Sequence, residues 1–134
     1  IELDNNGVDS FTTAQLNVLE GLLAELKAKY NIPAANFIGH ADVAPTRKTD
    51  PSVLFPWKYF AERGYGLWYG DTSSLKLPVG FNPVLALKVI GYDVKNADAA
   101  IEAFRRHFLQ TETKGPLSNT EKKVLFSLMQ KYLN

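Results

Sequence analysis

The stretch Asn36-Phe37-Ile38-Gly39-His40-Ala41-Asp42-Val43-Ala44-Pro45-Thr46-Arg47-Lys48-Thr49-Asp50-Pro51 decides how this chain reads. Its first four residues are too short for a helix and predict a buried strand, with His40 at its end. The residues from Ala41 to Pro56 contain three prolines and no apolar period, so they predict a loop. Loops of about 15 residues inside a compact domain are usually functional or disordered. Imidazole and carboxylate are both zinc ligands, and a catalytic zinc commonly takes three protein ligands and a water. By spacing alone, however, His40 and Asp50 read more simply as hydrogen-bonded polar residues, and Lys48 as a solvated lysine. Asp42 reads as a side chain that caps its own loop.

Outward from this stretch the signals alternate. Upstream, Leu16, Leu19, Leu23, Leu26 and Tyr30 step by three and four, which predicts an amphipathic helix from Thr12 to Tyr30 with Thr12 and Gln15 as its capping box. Ile1-Glu2-Leu3 reads as the middle of a strand with no initiator Met before it, the pattern expected of a fragment. Downstream, Pro56 suits the first position of a short helix, Trp57 to Arg63, and Gly64 its stop. Trp57, Tyr59 and Phe60 read as its core-facing side. Residues 65–81 read as a glycine-rich strap whose Tyr65, Trp68 and Tyr69 either wedge between two units or line a sugar-contacting rim.

Three short helices are predicted beyond the strap. The first opens at Asn82-Pro83 and ends near Gly91. The second runs from Asn96 to Leu109, with Ala97, Ala100, Ile101, Phe104 and Phe108 on one face and Arg105 and Arg106 on a solvated one. The third starts at the capping box of Ser118 and Glu121 and turns Val124, Leu125, Leu128 and Tyr132 inward.

Composition excludes several classes. The chain has 134 residues, 46% of them hydrophobic, and 15 basic against 14 acidic side chains. A net charge of +1 leaves no electrostatic footprint for nucleic acid. The absence of cysteine excludes disulfides, thiolate ligands and a cysteine nucleophile. No stretch approaches the ~20 apolar residues of a membrane span.

The segments Ile1-Glu2-Leu3, Phe11-Thr12-Thr13-Ala14-Gln15 and Gly39 to Pro51 resemble the second half of a zinc-dependent N-acetylmuramoyl-L-alanine amidase, a family that includes the anhydro-muramyl amidases and is related to peptidoglycan-recognition proteins. The thirteen-residue loop is close to the family's G-H-x-D-I-A-P-x-R-K-x-D-P. Gly91-Tyr92 and Ala103-Phe104-Arg105-Arg106-His107-Phe108 likewise resemble the pattern of a three-helix peptidoglycan-binding domain.

The resemblance implies an α/β fold: a partial amidase domain at 1–64 with a mixed β-sheet flanked by helices, a strap at 65–81, and an all-α three-helix domain at 82–134. It implies that His40 and Asp50 are two of three zinc ligands, that Lys48 is the catalytic lysine, and that Glu2, at the end of the family's I-G-I-E strand, is the general base. The third ligand, a histidine of the family's N-terminal half, has no counterpart here. His107 is not expected to replace it, because it matches a histidine of the binding domain's own pattern. The implied partners are a peptidoglycan or muropeptide substrate and an N-terminal fragment of the same polypeptide that supplies the missing ligand. The implied activity is hydrolysis of the amide between N-acetylmuramic acid, or its 1,6-anhydro form, and L-alanine. The expected location is the periplasm, with anchoring to the outer membrane. The competing readings are a binding protein that has lost zinc and a zinc peptidase that cuts within the stem peptide.

Overall fold

A computed structural model of the chain describes all of residues 1–134 and contains helices and turns only. The expected mixed β-sheet is absent, so the α/β reading is corrected to an all-helical chain. Ile1-Glu2-Leu3 has no regular structure. Residues 37–39 leave a single 3-10 turn, Ala34–Asn36, in extended form, with Phe37 at φ −89° and ψ 100° and Gly39 at φ −89° and ψ 165°. An extended segment becomes a strand only when its N–H and C=O groups exchange hydrogen bonds with a neighbour. Neither segment has such a ladder here.

Six α-helices carry the rest: α1 (Thr13–Tyr30), α2 (His40–Val43), α3 (Trp57–Ala61), α4 (Pro83–Val89), α5 (Ala97–Phe104) and α6 (Asn119–Leu133). The starts of four of them, α1, α4, α5 and α6, lie where the caps predict. Thr12 and Gln15 close the capping box of α1, Asn82 accepts from the N–H groups of Val84 and Leu85, Asn96 accepts from that of Ala99, and Ser118 pairs reciprocally with Glu121. Each cap satisfies backbone donors that the first helical turn leaves orphaned. Helix α2 was expected to be loop; it is a single turn in which the N–H groups of Asp42 and Val43 reach the Gly39 carbonyl at 3.1 and 3.4 Å.

The apolar residues gather in two clusters. Leu19 of α1 packs with Phe55, Trp57 and Phe60. The larger cluster joins α4, α5 and α6 through Leu87, Ile101, Phe104, Leu125 and Leu128, among others. Trp68 of the strap touches both, and its ring lies 5.8 Å from that of Phe108.

Helix α5 continues into a π-helical turn, Arg105–Leu109, in which Arg105, Arg106, His107 and Phe108 are all buried. Four successive residues cover most of a turn, so this turn is enclosed on nearly every side. The solvated face expected for Arg105 and Arg106 is therefore corrected. Arg105 is 1% exposed, and its guanidinium donates to both carboxylate oxygens of Glu121 and to the carbonyls of Thr113, Gly115 and Pro116. That set uses all five of its N–H donors. Arg106 donates from Nε to both oxygens of Glu112 at 3.0 Å.

The Arg105 hydrogen bond, with help from the Ser118 N–H, holds the Glu121 carboxyl down to about 2. A carboxyl held low when folded contributes stability above its unfolded value of about 4.3, and that contribution is lost as pH falls toward 2. Glu121→Gln should therefore destabilise the chain at pH 7 by about 1–3 kcal/mol. Denaturant unfolding at pH 7, 4 and 2 should show the two proteins converging in acid; a constant difference would contradict the pairing.

Candidate active site

His40 opens α2, and the loop behind it folds back on its own start. The Ala44 carbonyl accepts from the N–H groups of Arg47 and Lys48, and the Asp50 carbonyl accepts from that of Ala41 at 2.9 Å. This return brings the side chains of His40 and Asp50, ten residues apart, to 3.0 Å between Nδ1 and Oδ2. Both are at least half exposed, at 50% and 61%, so solvent leaves the pair little value as an ion pair. As donors they suit a metal: tetrahedral geometry with bonds of ~2.0–2.1 Å sets two ligand atoms about 3.3 Å apart. No third His, Cys, Asp or Glu joins them.

The structure does not assemble the rest of the expected set. Lys48 is exposed on the same loop, and its side chain makes no ion pair. Glu2 is exposed and makes no hydrogen bond with His40, Lys48 or Asp50. A cavity of about 550 Å³, lined in part by Ile38, Val43, Tyr92, His107 and Tyr132, contains none of the four.

Gly39, just before His40, is packed so closely that a Cβ there would lie 2.8 Å from Cδ of Pro51 and 3.0 Å from Cζ2 of Trp57. Its N–H donates to Oδ2 of Asp42 at 2.7 Å, which is the local capping role expected of that aspartate. Asp42 also reaches beyond its loop. Its Oδ1 accepts from the Tyr92 hydroxyl at 2.6 Å, and its Oδ2 lies 2.7 Å from Nδ1 of His107. Because a carboxylate only accepts, that Nδ1 must carry the hydrogen. Burial first, and then the charge of Asp42, pushes the Tyr92 hydroxyl well above its ordinary value, so it keeps its proton and donates. The His107 ring lies between Trp57 and Phe108, each 4.0 Å away between centroids and nearly parallel. The separations of 50 and 65 positions from Asp42 left no local signal of these contacts.

Residues 1–53 match the N-acetylmuramoyl-L-alanine amidase family. The N-acetylmuramoyl-L-alanine amidase AmiD of Escherichia coli (strain K12) is 33% identical over 98% of this chain and 56% of its own length. Its structure in complex with the substrate anhydro-N-acetylmuramic acid-L-Ala-D-gamma-Glu-L-Lys is similar with a TM-score of 0.77 and 30% identity, over 92% of this chain and 54% of that one. The 1,6-anhydro-N-acetylmuramyl-L-alanine amidase AmpD of Enterobacter cloacae is 40% identical over 45% of this chain and 32% of its own. AmpDh3 of Pseudomonas aeruginosa, in complex with anhydromuramic pentapeptide, is similar with a TM-score of 0.78 and 28% identity, over 97% of this chain and 58% of that one. The chain thus spans about half the length of AmiD, and less of AmpD. With the family match at its start and the likeness to AmiD running nearly throughout, this chain is similar to the N-acetylmuramoyl-L-alanine amidases over about half of AmiD's length.

Proposed function

We propose that this chain carries part of a zinc-dependent N-acetylmuramoyl-L-alanine amidase, which hydrolyses the amide between N-acetylmuramic acid, or its 1,6-anhydro form, and L-alanine of the stem peptide. The observation that carries the reading is the 3.0 Å approach of His40 to Asp50 within the residues that match the amidase family. His40 and Asp50 would hold the metal. Bound there, zinc would supply polarisation of the scissile carbonyl and a water of lowered pKa. Lys48, two residues before Asp50, would meet the negative charge that gathers on the carbonyl oxygen, a contact worth about 10²-fold or more in rate. Glu2 would take the proton from the attacking water. The two converging donors leave room for a third ligand, which this reading assigns to the N-terminal fragment of the same polypeptide.

In this reading residues 1–64 belong to the catalytic domain, 65–81 to a strap, and 82–134 to a three-helix unit that binds the wall. The likeness to AmiD over nearly the whole chain supports the combination. A wall-binding unit is useful only beside the sacculus, which favours the periplasm and anchoring to the outer membrane.

The direct experiment is mass spectrometry of an anhydro-muramyl tripeptide digested by the protein isolated in its natural assembly. Free anhydro-muramic sugar and an intact peptide beginning at L-alanine are expected. Cleavage between peptide residues, or none, would contradict the assignment. In the same assembly His40→Ala or Asp50→Ala should remove the bound zinc, read by elemental analysis after dialysis. Glu2→Gln and Lys48→Ala should keep about one zinc per protein and lower kcat by about 10²-fold or more. A variant with unchanged kcat removes that residue from the mechanism.

A further inference from the structure

Helix α2 is one turn long, far below the length at which a helix holds itself together. Its shape therefore has to come from outside. The Gly39 N–H, at its start, has the Asp42 carboxylate as its acceptor, and that carboxylate is in turn gripped by two residues remote in sequence, Tyr92 and His107. Asp42 is only 9% exposed, so water does not compete for it.

We propose that Tyr92 and His107 are positioning residues for the His40–Asp50 pair, so that the helical unit after the strap forms part of the site. The links are short. Gly39 immediately precedes His40, and its amide direction fixes how the His40 backbone enters α2. The N–H of Ala41 in the same turn donates to the Asp50 carbonyl, so a displaced turn moves the second donor as well. His107 cannot swing aside, because Trp57 and Phe108 stack on its two faces. Its other nitrogen, Nε2, and Nη1 of Arg106 find no protein partner; both residues border a cavity of about 10 Å³ beside Thr49, Pro51 and Ser52. That is room for one water, which would tie the same π turn to the segment carrying Asp50.

The inference rests on the metal-binding reading of His40 and Asp50, so its test separates the two. The protein in its natural assembly, with the fragment that supplies the third ligand, and its Tyr92→Phe, His107→Leu and His107→Asn variants are compared by amide hydrogen exchange and by zinc affinity in competition with a chromophoric chelator. Tyr92→Phe and His107→Leu should speed exchange of the Gly39 amide about tenfold or more, while the amides of Leu125 and Leu128 in α6 stay protected. Zinc affinity should fall by about 10–100-fold, as for other residues that orient metal ligands. Asn keeps a side-chain N–H close to the place of Nδ1, so His107→Asn should recover much of both. Should His107→Leu not fold, Tyr92→Phe, which loses one oxygen atom, decides. Unchanged Gly39 exchange and zinc affinity in a folded Tyr92→Phe would overturn the proposal. If the unaltered assembly takes no zinc while Gly39 exchange responds as expected, the positioning link is upheld and the metal reading fails.

Discussion

The buried carboxylate of Asp42 is the constraint around which α2 and its loop meet the helical unit after the strap. A buried carboxylate is tolerable only when hydrogen bonds replace its lost water. Asp42 receives three, from the Gly39 amide, the Tyr92 hydroxyl and the His107 ring, and these donors come from three separate parts of the chain. Satisfying one side chain therefore seats the single-turn helix α2 against the helical unit that follows the strap. The glycine at 39 belongs to the same constraint, since the approach of Pro51 and Trp57 leaves no room for a Cβ.

Charge is used in two ways in this molecule. Arg105, with Glu121 and three carbonyls around it, and Asp42, with its three donors, are enclosed and hydrogen-bonded at every polar side-chain atom, and they hold segments together. His40, Lys48 and Asp50 stand on the outside of the loop with coordination to spare. Reactive groups need free lone pairs or free donors within reach of a substrate, whereas scaffold groups in a low-dielectric interior need none left over. In the proposed reading, the exposed His40–Asp50 pair would carry the chemistry and the buried groups would hold it in place.

How much the sequence discloses follows from the range of each interaction. Helix starts are local, and Thr12 with Gln15, Asn82, Asn96, and Ser118 with Glu121 could be read from neighbours a few positions apart. The helical period likewise identified Leu125 and Leu128 as buried. Strand formation is not local, because it depends on a partner, and the extended residues 37–39 have none here. Arg105 and Arg106 are buried although the period puts them on the polar side, because a period describes one face of a helix and is silent about what covers the others. The pairing of His40 with Asp50 was legible only through the likeness of their loop to a family pattern. The hold of Tyr92 and His107 on Asp42 spans too many residues to leave any pattern at all.

If Asp42 joins the loop to the helical unit, its energy must be coupled to that of its remote donors. A double-mutant cycle between Asp42→Asn and Tyr92→Phe, measured by denaturant unfolding at pH 7, tests this most directly. The account predicts a coupling energy of at least about 1 kcal/mol, within the range found for residues that share a buried hydrogen-bond network. Losses that add to within about 0.3–0.5 kcal/mol, as for independent sites, would contradict it.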